Sequence, residues 1–182
     1  IRHGRPPASA RGKNWLGVYL NRLHVIRMRG RETDNIGAAT HEVAHHFANL
    51  TDILYDSDGN LRPEITSMTV AEFKLPLEVV QAGTVVTEIG QLDYDQKRFK
   101  PEEGFAEFIR YYLTGMNENR SGGPPNTSFG TDSRIVLKRA APRFLEYFED
   151  WLRKHPEYED RMRDTKEIID NWRGATPLEQ GA

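Results

Sequence analysis

The chain has 182 residues, 25 basic against 27 acidic side chains, a formal net charge of -2 and no cysteine. That length suits one domain with a substantial buried core. The balanced charge gives no global case for nucleic acid or an anionic membrane, and no apolar run approaches the roughly twenty residues a membrane span needs. Without cysteine there are no disulfides, no thiol catalysis and no Cys-ligated zinc, so His, Asp and Glu are the strong metal ligands left.

The stretch Arg5-Pro6-Pro7-Ala8-Ser9-Ala10-Arg11-Gly12 has linker composition. Residues 1–12 therefore read as a linker, residues 13–173 as the domain, and residues 174–182, opening on Gly174-Ala175-Thr176-Pro177, as a tail. These ends fit a module of a longer polypeptide. Next, Trp15, Leu16, Tyr19, Leu20, Leu23 and Ile26 fit a helical stripe; residues 23–27 fit a short strand equally well, and helix is the preferred reading.

Ile36, Ala39, Val43, Ala44, Phe47 and Leu50 recur at helical spacing, with Thr33, Asp34 and Asn35 as N-cap candidates and residues 49–52 as the stop. Within this helix lies His41-Glu42-Val43-Ala44-His45, an H-E-x-x-H motif. Residues four apart on a helix share a face, so His41 and His45 can offer two imidazole nitrogens to one Zn²⁺. Glu42 sits one step round, where a carboxylate acts as general base toward a metal-activated water without ligating the metal. Asn49, four residues beyond His45, is a candidate to support a ligand, or a polar helix end; Asp52 carries a weaker version of that case. His46 points about 100° away and reads as a packing or surface residue.

Asp56-Ser57-Asp58-Gly59-Asn60 predicts a tight turn in a hairpin between Ile53 and Ile65. It is not a calcium loop, since the glycine comes early and the closing glutamate is missing. Residues 66–100 predict short helices and loops. Pro101 then suits a first helical position and Gly115 a C-terminal stop, with Phe105, Ala106, Ile109, Tyr112 and Leu113 as the core face. Residues 117–131 read as a long loop, followed by one helix from Ile135 to Trp151 and another from about Glu157 to Trp172. The fold class expected is mainly α, with a small β element near residues 53–65 and the two central helices packed across the metal.

A catalytic zinc site takes three protein ligands and leaves one position open, so a third ligand is needed. Glu103 and Glu107 lie four apart on the helix after Pro101, so one can ligate while the other hydrogen-bonds a ligand imidazole. An acidic first turn is the plainer explanation of those glutamates taken alone. Glu103-Gly104-Phe105-Ala106-Glu107 resembles the E-G-F-A segment by which aminopeptidase-type gluzincins, relatives of thermolysin, supply a third zinc ligand. That resemblance implies Glu103 as the ligand and Glu107 as the acidic partner of a zinc-bound histidine. Glu103 follows His45 by 58 positions, longer than the interval usual in those aminopeptidases, so the resemblance implies an insertion between them.

HEVAHHFANL, EEGFAEFIRYYLTG and APRFLEYFEDWLRKHPE, in that order, together resemble the zincin-like domains within very large polyvalent proteins of bacteriophages and other mobile elements. This implies a zincin-like metallopeptidase core and association with phage or mobile-element proteins. The function expected is zinc-dependent hydrolysis of peptide bonds in a peptide or protein substrate by a soluble protein, cytoplasmic or virion-associated. The alternative is a catalytically silent zincin-fold docking module, and a further rival is a nucleic-acid module using Arg22, Arg27, Arg29 and Arg31. Tyr111 and Tyr112 are candidates to stabilise an oxyanion or touch substrate, although aromatic residues at this spacing are more often core. Arg110, on the same broad face as Glu103 and Glu107, reads as a partner of an acidic neighbour or as a substrate contact, with the structural salt bridge preferred.

Overall fold

In a computed structural model, residues 2–3, 17–20, 25–28, 35–93, 98–114 and 133–174 are described. The most N-terminal of these form a three-stranded sheet of β1 (Arg2–His3), β2 (Gly17–Leu20) and β3 (Val25–Met28), in the order β1-β3-β2. β1 runs parallel to β3, and β2 pairs antiparallel with it, Gly17 opposite Met28 and Leu20 opposite Val25. This corrects two expectations: strands stand where a helix over 15–26 was preferred, and Arg2 and His3 pair in the sheet although residues 1–12 read as linker. Val18, Tyr19, Val25 and Ile26 are β-branched or aromatic, and over so few residues apolar spacing cannot separate strand from helix. The remaining linker-like residues, the loop 117–131, the tail after Gly174, Arg22, Arg29 and Arg31 lie outside the described residues.

The rest is helical: α1 (Asn35–Leu50), α2 (Pro63–Thr66), α3 (Leu77–Gln81), α4 (Pro101–Thr114), α5 (Ser133–Ala140), α6 (Pro142–Lys154) and α7 (Pro156–Gly174), with 3-10 turns at Glu72–Lys74 and Gly90–Leu92. The helix expected from Ile135 to Trp151 is thus two. Pro142 supplies no N–H and disfavours helical geometry at the residue before it; Ala141 adopts φ -141° and ψ 62°, and α6 starts afresh. Glu88 caps this new start: its Oε2 accepts the backbone N–H groups of Arg143 (2.8 Å) and Phe144 (3.0 Å), donors that a helix N-terminus leaves without partners.

The hairpin expected over 53–65 shrinks to one bridge, Tyr55 with Leu61. Asp56 Oδ1 accepts the N–H groups of Asp58 and Asn60, and Gly59 takes φ 80°. Pro63 then opens α2, so there is no second strand to extend the pairing.

α1 packs along α4 and also meets β2 and β3. Phe47 of α1, Phe105 and Phe108 of α4, and Phe144 and Phe148 of α6 form an aromatic core, with Phe108 4.9 Å and 5.1 Å from the last two rings. Met162 and Ile169 of α7 close it. Edge-on aromatic pairs of this kind fix orientation as well as burying area. Here they fix α4 against α6, while Phe47 of α1 stacks on Phe105 of α4 at 6.2 Å, and the site lies on the faces where α1 and α4 meet. Among the described residues no helix is long and apolar enough to cross a membrane.

Candidate metal centre

α1 presents His41 and His45 one turn apart, and α4 brings Glu103 from its first turn to meet them. His41 Nε2 and His45 Nε2 are 3.3 Å apart. Glu103 Oε2 lies 3.4 Å from the first and 3.6 Å from the second. Ligands held at roughly 2.0–2.1 Å in a tetrahedron stand about 3.3–3.4 Å from one another, so the triangle has the size that zinc requires. The chemistry fits too: a neutral imidazole offers Nε2 as a lone pair, and a carboxylate only accepts. Three acceptors facing one another at this range repel unless protons or a cation lie between them. Among the described residues this is the one group of three His, Asp or Glu side chains that converges in this way.

Burial is graded across the triad. The side chain of His41 is 7 % exposed, that of His45 19 % and that of Glu103 26 %, so solvent reaches the centre from the His45 and Glu103 side. Behind His41, Glu107 Oε1 lies 2.9 Å from Nδ1. A carboxylate at that distance favours a ring proton on Nδ1, which leaves Nε2 for a metal, the arrangement that orients ligand histidines. Burial by itself pulls the His41 pKa down, but Glu103 and Glu107 outweigh it and take the metal-free imidazole up to about 9. Glu103 is held well below the usual carboxylate range by its contacts with His41 and then His45. Glu107 resists its own burial and is lowered by His41 and Arg110.

Glu42 is half-buried one residue beyond His41, and its charge is among those that favour protonated His41. Asn49, in the last turn of α1, bonds the backbone of its own helix: its Nδ2 donates to the His45 carbonyl at 2.7 Å. Asp52 turns away, pairing with Arg62 (2.5 Å) and accepting from Trp151 Nε1 (3.3 Å). Tyr112 joins the aromatic core, 5.1 Å from Phe148 and 6.1 Å from Phe108. Tyr111 is buried two turns along α4 from Glu103, with the Arg110 guanidinium 4.7 Å from its ring centre. The register that points Glu103 and Glu107 at His41 turns Tyr112 toward the core. His155 stacks on Trp151 at 4.0 Å.

Two features go beyond the motifs. Tyr55 donates a hydrogen bond to Glu102, tying the turn after α1 to the first turn of α4 beside Glu103. An open groove of about 850 Å³ lies there, at the C-terminal end of α1, with Asn49, Asp52, Tyr55, Arg62 and Glu102 in its walls. Residues 47 positions apart in sequence make the Tyr55 contact, so no local pattern announces it.

Because metal ligation needs neutral His41, zinc uptake near pH 7 is expected to release a proton. The calorimetric enthalpy should therefore change with the ionisation heat of the buffer. For the metal-free fold the sign runs the other way. A pKa raised from 6.5 to about 9 adds stability that is full below pH 6.5 and disappears as pH rises through 9. Thermal melts of chelator-treated protein should fall across that window, while zinc-loaded protein should not follow them.

Comparison with family models, curated proteins and solved structures returns no match to this chain.

Proposed function

We propose that this chain is a zinc-dependent metallopeptidase with a zincin-like core, in which His41, His45 and Glu103 hold the metal and Glu42 is the general base. The observation that carries the reading is the 3.3–3.6 Å triangle of His41 Nε2, His45 Nε2 and Glu103 Oε2, with Glu42 adjacent and not ligating. A purely structural zinc site is closed by four protein ligands and needs no base beside it. The sheet against α1, and a third ligand supplied by a helix packed on the motif helix, also support a zincin-like core.

Zinc bound there supplies a Lewis acid that acidifies water and polarises the scissile carbonyl. Glu42 takes the proton from water as its oxygen adds to the carbonyl carbon. It returns that proton to the amine nitrogen as the C–N bond breaks. Glu107 keeps His41 in one tautomer throughout. The groove beyond Asn49, walled by Tyr55 and by Glu102, the neighbour of Glu103 in sequence, offers room for an extended peptide. The substrate is a peptide or protein, and the setting is a longer phage or mobile-element polypeptide.

The test is an undirected peptide mixture incubated with zinc-loaded protein and read by mass spectrometry. New termini should appear, stop after chelation and return with zinc. Loaded protein that cleaves nothing would contradict the peptidase reading and favour a docking module.

A further inference from the structure

We propose that Arg110 is a positioning residue of the metal centre: from the buried side it grips Glu107, and through Glu107 it fixes the His41 ring for the ion. The inference rests on His41, His45 and Glu103 being the ligands, not on peptide hydrolysis. Arg110 follows Glu107 by three residues on α4, so the two side chains share a face. Its Nε donates to Glu107 Oε2 at 3.0 Å, and its Nη2 donates to the same oxygen. The other oxygen, Oε1, is the one that faces His41 Nδ1 at 2.9 Å. One carboxylate therefore has its two oxygens divided between a guanidinium and the ligand ring.

The setting makes this more than a surface ion pair. The side chains of Arg110 and Glu107 are 3 % and 4 % exposed, where an apolar pair of similar size would serve packing at least as well. A ligand imidazole is neutral, so in the loaded protein the fixed positive charge opposite Glu107 is that of Arg110. The two donors from one planar group set the carboxylate's rotation, and that rotation aims Oε1 at Nδ1. Second-sphere groups that orient ligand histidines typically change metal affinity by about 10–100-fold.

Zinc affinity of the full chain, read by competition with a chromophoric chelator, tests this in wild type, Arg110→Met and Arg110→Lys. Arg110→Met should weaken zinc binding about 10–100-fold. Arg110→Lys keeps a cation in the buried site but loses the two-pronged grip, and should weaken it by about tenfold. A merely structural arginine would lower the melting temperature of both variants and leave the zinc Kd of folded protein unchanged. If Arg110→Met does not fold, Arg110→Lys decides. Wild-type affinity in folded Arg110→Lys overturns the proposal while leaving the ligand set intact; a wild type that binds no zinc overturns both.

Discussion

Replacing Glu42 by glutamine is expected to leave zinc bound and to reduce peptide hydrolysis by at least about 10²–10⁴-fold, the usual contribution of a positioned general base. The substitution keeps size and one acceptor oxygen but cannot take a proton. None of the three converging donor atoms belongs to Glu42, so zinc affinity should stay within a few-fold of wild type. The effect should lie in kcat with KM little changed, because proton transfer belongs to the transition state and not to binding. Retained turnover in purified Glu42→Gln would remove Glu42 from the role of base.

Gly104→Ala is expected to destabilise the protein by about 3 kcal/mol or more, at the upper end of overpacking costs. Helix propensity alone predicts the opposite, since alanine favours a helix interior over glycine by about 1 kcal/mol. Contact decides the sign. A Cβ on Gly104 would stand 1.8 Å from the Ile89 carbonyl oxygen and 2.8 Å from its carbon, against roughly 3.3 Å for an ordinary C···O approach. The obstacle is backbone, which cannot rotate aside. α4 would have to lift from the 3-10 turn at Gly90–Leu92, carrying Glu103 with it. A melting temperature lower by about 6–12 °C is expected for a chain of this size, together with weaker zinc binding. An unchanged melting temperature would mean that α4 and this turn are not in close contact.

The parts of the fold legible in the sequence are those whose cause is local. Pro101 opens α4 because proline suits a first helical position, and α1 ends at Leu50, inside the run 49–52 expected to stop it. His41, His45, Glu103 and Glu107 are legible because 3.6-residue periodicity sets which side chains share a face. What brings the two faces together is not local. It depends on the contact of Phe47 with Phe105 and on the Trp151 and Tyr158 rings packed against Phe47, while the close approach of Gly104 to Ile89 seats α4. Gly104 reads in the sequence only as part of a motif. β2 and β3 escape the preferred helical reading because four-residue strands give too few positions for a period to register. Tyr112 sits on the periodic core face and goes into the core, which is where periodicity places it.

The most direct test of the metal centre is the zinc content of purified protein by mass spectrometry, with wild type beside His45→Ala and Glu103→Ala. About one zinc per chain in wild type, lost from both variants, is the predicted result, since two remaining ligands make a weak and open site. A wild type that takes up no zinc when supplied with it, or a Glu103→Ala variant that retains it, would contradict the three-ligand site joining α1 to α4.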